Sequence, residues 1–445
     1  MPPPQSRSTT DRRSRFGSLL VLAVLAPIAG AASGLLGAIF RLTLENADRL
    51  RAELITRAHY GGLIGFLLVC GGAAGAVSLA AWLVRRFSPY ASGSGIPHVE
   101  AALNGEVPPA PLGLIPVKFI GGVLAIGAGL ALGREGPSVQ MGAAIAHLVA
   151  RLCRRGWADR RVLLAAGAGA GLATAFNAPI AGAVLVLEEL VRRFEAHIAI
   201  AALGASAAAI AVARAVLGDA PDFTVAPLTY AGVRTWPLFV ALGTVAGLAA
   251  ALYNSALLRT LDAMDRLSRW PVEIRAAVIG AVVGGLAWFV PGMVGGGDNI
   301  TQRTLAGGAT LLMLPLAFLL RFALGAVSYA AATPGGLFAP MLVLGAQLGL
   351  FFGTLCRLAF PGTALDPIAF AVVGMAAFFT GVVQAPVTGI VLAIEMTASF
   401  PMLLPMIAAC FAAMLVPNLL GSAAIYDSLR RRTTRAAGAP AENSR

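Results

Sequence analysis

Residues 176–189 read FNAPIAGAVLVLEE, and residues 383–396 read VQAPVTGIVLAIEM. Ala178, Pro179, Gly182, Val184, Leu185 and Glu188 line up with Ala385, Pro386, Gly389, Val391, Leu392 and Glu395. An earlier pair keeps the same order. GREGPSVQMG (133–142) matches GLFAPMLVLG (336–345) at Gly133/Gly336, Pro137/Pro340 and Gly142/Gly345. One such pair could arise by chance. Two in the same order and at nearly the same offset make the chain a duplication.

The repeated segments are apolar, and so is nearly everything around them. Of 445 residues 58% are hydrophobic and only 12% charged, with a mean hydropathy of +0.80. A soluble domain needs about 25% charged residues to cover its surface. The runs 16–40, 367–394 and 396–426 carry no charge at all. Each exceeds the roughly 20 residues that cross a bilayer core as a helix. In lipid every backbone polar group must be paired within the segment, which leaves helices as the spanning element here. The expectation is an all-α, polytopic membrane protein. Gly and Pro break many of the apolar runs, so the sequence leaves the number of spans open.

The net charge of +12 points to membrane topology rather than nucleic acid. Arginines gather at span ends and tails: Arg12, Arg13 and Arg15, then Arg151, Arg154, Arg155, Arg160 and Arg161, then Arg430, Arg431 and Arg432. By the positive-inside rule both termini are expected in the cytoplasm. The first apolar run is too long for the roughly 7–15-residue core of a signal peptide and reads as a retained helix. Cys70, Cys153, Cys356 and Cys410 are dispersed, with no spacing that suits a metal or redox site. They read as packing residues, and no metal or cofactor is expected.

The expected organisation is a disordered basic tail over 1–15, a first transmembrane half over 16–218 and a polar connector over 219–235. A second half follows over 236–431, with its final helix bearing Tyr426, and then a disordered tail over 432–445. No soluble regulatory domain is expected at either end. Arg192 and Arg193 follow the first FNAP copy, whereas the matching end of the second copy, 397–401, has no basic neighbour. That asymmetry fits repeats inserted in opposite orientations, a plan common in transporters with a site at mid-membrane.

Three glycine-rich motifs interrupt the apolar sequence: GSGIP (93–97), GREGP (133–137) and GGLFAP (335–340). In each, Gly precedes a Pro placed for the first turn of a helix, where its missing N–H costs nothing. The first turn of a helix leaves N–H groups unpaired and carries about half a positive charge from the dipole. Such ends converging inside the membrane form an anion site. Without a full positive charge the site can also release its ion, as conduction requires.

GSGIP, GREGP and GGLFAP in this order and spacing resemble the signature of the CLC chloride channel and transporter family, over about 19–431. The resemblance implies an inverted-repeat fold with many tilted and broken helices, a homodimer with one pathway per subunit, and a bacterial inner membrane. The tails are like those of prokaryotic members without C-terminal CBS domains. It also assigns roles. Ser94 offers its hydroxyl to chloride, the amides of Leu337 and Phe338 bind the same ion, and the Tyr426 hydroxyl closes the inner side. Gly93, Gly95, Ile96 and Pro97 frame the first motif, Gly133, Arg134, Gly136 and Pro137 the second, and Gly336, Ala339 and Pro340 the third. By themselves Ser94 would read as a helix cap, Phe338 as packing and Tyr426 as an interfacial anchor.

Glu135 becomes the gating glutamate and outer proton acceptor. An ionisable residue within a membrane segment is a functional candidate by default. Glu189 becomes the internal proton-transfer residue that separates exchangers from channels. Glu188 repeats as Glu395, whereas Glu189 is matched by Met396, so the repeated carboxylate reads as structural and the unrepeated one as functional. Desolvation there favours the neutral, proton-carrying carboxyl. Glu100 reads as a buried structural acid and His98 as an exposed loop residue. Lys118 and Arg134 read as supports of the fold or attractors of anions. The expected activity is chloride/proton antiport, chloride being bound only as substrate. The alternative is a passive voltage- or pH-gated chloride channel on the same scaffold. No enzyme is expected, because HExxH, GxSxG and a paired intramembrane aspartate are all missing.

Overall fold

The computed structural model describes residues 9–436, apart from Ala231 and Ala309. Among them are seventeen α-helices and two isolated β-bridges, Gly93 with Pro334 and Gly133 with Gly336. The first eight helices are α1 (Thr9–His59), α2 (Gly62–Phe87), α3 (Ile96–Leu103), α4 (Leu114–Gly127), α5 (Glu135–Leu152), α6 (Trp157–Phe176), α7 (Pro179–Leu185) and α8 (Ala196–Leu217). The next eight follow the same rhythm: α9 (Trp236–Arg266), α10 (Val272–Phe289), α11 (Asp298–Leu305), α12 (Met313–Tyr329), α13 (Phe338–Ala359), α14 (Pro367–Val383), α15 (Pro386–Thr397) and α16 (Leu403–Leu419). A last helix, α17 (Ile425–Ala436), carries Tyr426.

Equivalent helices make equivalent contacts. Helix α1 packs on α8 and α9 on α16, while α5 packs on α6 and α13 on α14. Small residues permit this closeness, since lipid supplies no hydrophobic drive between helices. A Cβ on Gly30 or Gly34 would strike the backbone of Ala205 or Ala209. One on Gly243 or Gly247 would strike that of Ala409 or Ala413. The halves meet through α2 against α10 and α7 against α15.

Among the described residues, seven helices are long and apolar enough to cross a membrane. Leu63, Leu67 and Leu68 on α2 and Leu316 and Leu319 on α12 face outward with more than half their surface exposed, as lipid-facing side chains do. The helices α3, α7, α11 and α15, of 8, 7, 8 and 12 residues, are too short to cross a bilayer core, which takes roughly 20.

Two boundaries differ from expectation. Helix α1 already begins at Thr9, within the stretch expected to be a disordered tail, and residues 1–8 lie outside those described. Helix α17 runs on to Ala436, past the expected end at 431, and residues 437–445 lie outside those described. Its Arg430 and Arg432 explain the extension, because they pair with Glu106 and with Asp262 and Asp265. The connector holds no α-helix but is fastened at Phe223, whose N–H donates to the Met396 carbonyl at 2.9 Å.

Candidate functional site

The three motifs meet through their backbones. Gly133 and Gly336, equivalent positions of the two halves, exchange both hydrogen bonds at 2.8 and 2.7 Å. Gly93 N–H donates to the Thr333 carbonyl at 3.0 Å, and Gly335 N–H to the Gly93 carbonyl at 3.1 Å. These bridges bring the starts of α3, α5 and α13 to one place. Pro97, Pro137 and Pro340 all fall in first turns, where helix geometry needs no N–H from them. Gly95 adopts φ +85° at the cap of α3, a conformation that favours glycine.

Glu135 is fully buried, and its side chain leaves its own helix. Oε1 accepts from Phe338 N–H at 2.7 Å and Ala339 N–H at 3.3 Å, the first amides of α13. Oε2 has no protein partner. A carboxylate thus lies on an amide-built anion cradle. The cradle is tight: a Cβ on Gly133 or Gly336 would collide with this carboxylate, and one on Gly136 with Ser94.

Ser94, Phe338 and Tyr426 sit together beneath it. All three are fully buried, and the Phe338 ring lies 5.9 Å from that of Tyr426 and 4.7 Å from that of Phe379. Leu337, also fully buried, is the residue from which α13 departs. The Ser94 and Tyr426 hydroxyls are neighbours, yet neither makes a hydrogen bond of good geometry within the protein. Ser94 does not cap α3, since Gly95 holds that position without a side-chain bond. Tyr426 is not an interfacial anchor, because none of it is exposed.

Buried cations hold the loops. Lys118 Nζ donates to the carbonyls of Ala91 and Gly93 at 3.1 and 2.7 Å, tying down GSGIP from below. Arg321 does the same in the second half, donating to the carbonyls of Met293, Gly295 and Gly296 at 3.2, 2.8 and 3.3 Å. GGGDN (295–299) is therefore the degenerate counterpart of GSGIP, with Gly297 at φ +114° where Gly95 stands. Arg134 donates to the Ala175 carbonyl (2.9 Å), Asp298 (2.7 Å) and Asp222 (3.2 Å), and Asp222 also takes Arg41 at 2.6 Å. It thus supports the fold beside Glu135. The sequence reading missed Arg41, Asp222, Asp298 and Arg321. The matched spacing of Lys118 and Arg321 was the signal available for the last.

Three clefts approach this centre. One of about 710 Å³ reaches Gly133, Arg134 and Ala339 between Arg41, Asp222 and Asp298. A second, of about 260 Å³, opens on Gly93, Gly95 and Tyr329 beside α17. A third, of about 380 Å³, is lined by Glu188, Glu189, Arg192, Gln384 and Asp427. Glu189 lies in a π-helical turn, Val186–Leu190, and is 3% exposed, so it is no solvated helix end. Arg192 Nη2 reaches its Oε1 at 3.3 Å.

Glu100 is buried as expected, between Arg430 at 3.4 Å and Arg192 at 3.7 Å. His98 corrects an expectation. Rather than an exposed loop residue it is a buried member of α3, its ring 4.6 Å from that of Tyr90, because α3 is enclosed on all sides. The four cysteines are unpaired, and no group of three or more metal-ligating side chains occurs among the described residues.

Duplicated broken helices, motif amides converging on a buried centre and apolar helices long enough to span a bilayer define a polytopic membrane protein. The profile of the voltage gated chloride channel family matches residues 74–418, and the chain belongs to that family, the CLC proteins. It is 37% identical over 422 residues to the H(+)/Cl(-) exchange transporter ClcA of Citrobacter koseri, covering 93% of this chain and 89% of that one. Against the transporter of the same name from Vibrio parahaemolyticus the figures are 36% over 427 residues, 94% and 91%. Among solved structures, a slow cyanobacterial Cl-/H+ antiporter superposes with a TM-score of 0.90 at 32% identity, covering 94% of this chain and 99% of that one.

Proposed function

We propose that the protein exchanges chloride for protons across the membrane, with Glu135 as gate and outer proton acceptor and Glu189 as internal proton-transfer residue. The observation that carries this reading is the Glu135 carboxylate resting on the Phe338 and Ala339 amides. An ionised carboxylate and a chloride compete for the same donors. Each hydrogen bond to a charged acceptor contributes about 1.5–3 kcal/mol. Two of them with a helix dipole approach the roughly 5.5 kcal/mol that inverts a 1:99 equilibrium. A proton on Glu135 weakens those bonds, frees the side chain to swing out, and leaves the amides to chloride.

Chloride then meets the Ser94 and Tyr426 hydroxyls, neighbours that make no hydrogen bond of good geometry within the protein, and the amides at Leu337 and Phe338. Protons take another route on the inner side. Glu189 lines a cleft separate from the one at Gly93 and Gly95, so the two ions part company below the centre. The names of the relatives, H(+)/Cl(-) exchange transporters, support the same reading.

Reconstituted in liposomes and given only a chloride gradient, the protein is expected to drive uncoupler-sensitive proton movement. Chloride flux with no proton movement would instead define a passive channel.

A further inference from the structure

Arg192 stands between the proton cleft and the helix that carries Tyr426. Its guanidinium donates one hydrogen bond to Asp427, Nη1 to Oδ2 at 3.1 Å, and its Nη2 makes an ion-pair contact with Oδ1 at 2.8 Å. The same Nη2 reaches Glu189 Oε1 at 3.3 Å, and Nε donates to the Glu189 carbonyl at 3.2 Å. Its backbone is left-handed, φ +54°, a conformation uncommon outside glycine and kept where surrounding contacts fix it. Asp427 directly follows Tyr426 in the first turn of α17, and the Tyr426 ring stacks on Phe338.

We propose that Arg192 and Asp427 are positioning residues that transmit the protonation state of Glu189 to Tyr426 and so to the chloride site. The inference rests on the role given to Glu189 above. One guanidinium serves Glu189 and Asp427, which compete for it at hydrogen-bond distance, with Glu100 farther off at 3.7 Å. With Glu189 ionised, Arg192 is shared. With Glu189 protonated, that acceptor weakens and Arg192 settles on Asp427, because hydrogen bonds to charged acceptors are the stronger ones. The first turn of α17 follows Asp427, and Tyr426 is one residue away on the same turn.

The charged groups around this point belong to several elements. Glu100 of α3 lies 3.7 Å from Arg192, and Glu106 just beyond α3 binds Arg430 of α17. Arg430 also stands 3.9 Å from Asp427. Arg161 of α6 is committed to the Leu103 carbonyl at 2.8 Å. Glu188 and Arg193 flank on the same segment, and Glu195 and His197 open α8. Among these, only Arg192 contacts both Glu189 and Asp427 at hydrogen-bond distance.

The test is chloride binding to the purified full-length protein, measured by calorimetry at acidic and alkaline pH. A Glu135→Gln background removes the gate's own proton linkage. In that parent, affinity should change between the two pH values by about five-fold or more, the lower range of common coupling energies. Adding Glu189→Gln, Asp427→Asn or Arg192→Gln should flatten the dependence, and Asp427→Glu, which keeps the carboxylate, should retain at least half of it. A parent without pH dependence would overturn the proposal. So would full dependence in Asp427→Asn, or equal loss in Asp427→Glu and Asp427→Asn. Antiport is read separately, from proton flux in liposomes. A wild type that binds chloride with this linkage but moves no protons would retire the antiport reading and leave the link standing.

Discussion

Glu188 and Glu395 cap one another's halves. The Glu188 carboxylate accepts from the N–H groups of Val387 and Thr388 at 2.9 and 2.6 Å, at the start of α15. The Glu395 carboxylate accepts from those of Ile180 and Ala181 at 3.1 and 2.8 Å, at the start of α7. Each repeat thus completes the helix terminus that the other leaves open, which only an approximate two-fold relation between them allows. A carboxylate suits the positive end of a helix as well as its unpaired amides.

Glu395→Ala should therefore weaken the fold rather than the transport cycle. Loss of an N-terminal cap costs about 0.5–2 kcal/mol. The expected outcome is a lower melting temperature in detergent, with chloride flux and proton stoichiometry per folded protein close to wild type. Unchanged melting, or loss of coupling at normal stability, would contradict the structural role.

Glu135→Gln keeps the shape of the side chain but removes its charge and its proton exchange. The amide no longer holds the α13 amides with a charge-assisted bond. Chloride flux in liposomes should persist and proton movement should vanish. Intact proton coupling in this variant would take the gate away from Glu135.

Ser94→Pro should shift anion preference from chloride toward nitrate. The change removes a hydroxyl that makes no hydrogen bond of good geometry within the protein and also the Ser94 N–H, which donates to Tyr329 Oη at 3.3 Å. Competitive uptake of the two anions measures it, and an unchanged ratio would count against Ser94 as a chloride ligand.

Lys118→Met should unfasten the GSGIP loop. The Ala91 carbonyl loses its donor while that of Gly93 keeps Gly335 N–H, and a buried acceptor left unpaired costs about 1–3 kcal/mol. Arg321→Met should act likewise on GGGDN. Both are expected to lower the melting temperature in detergent by several degrees. A variant at either position that melts like wild type would show that the cation is dispensable to its loop.

Much of this was legible in the sequence, and the exceptions have physical reasons. Duplication was visible because Glu188 and Glu395 must each supply a cap, so both copies of FNAP kept the carboxylate. The motif prolines marked helix starts, since only a first turn tolerates them there. The GSGIP counterpart was not visible. GGGDN keeps the glycine geometry but has lost the Ser, Ile and Pro, and two matching glycines are too little to mark a repeat. The Arg134 clamp escaped for another reason. It joins Arg41 of α1, Asp222 of the connector and Asp298 of α11, far apart in sequence, and a long-range ion pair leaves no periodic trace. His98 misled because it follows a glycine-rich motif, where a loop was expected and a buried helix lies.

The central claim is that protons and chloride are exchanged through Glu135 and Glu189. It is tested most directly by proton flux from reconstituted liposomes under a chloride gradient, wild type beside Glu189→Gln. The account predicts uphill proton movement in the wild type that disappears in the variant while chloride flux survives. Equal proton movement in both, or chloride flux without protons in the wild type, would contradict it.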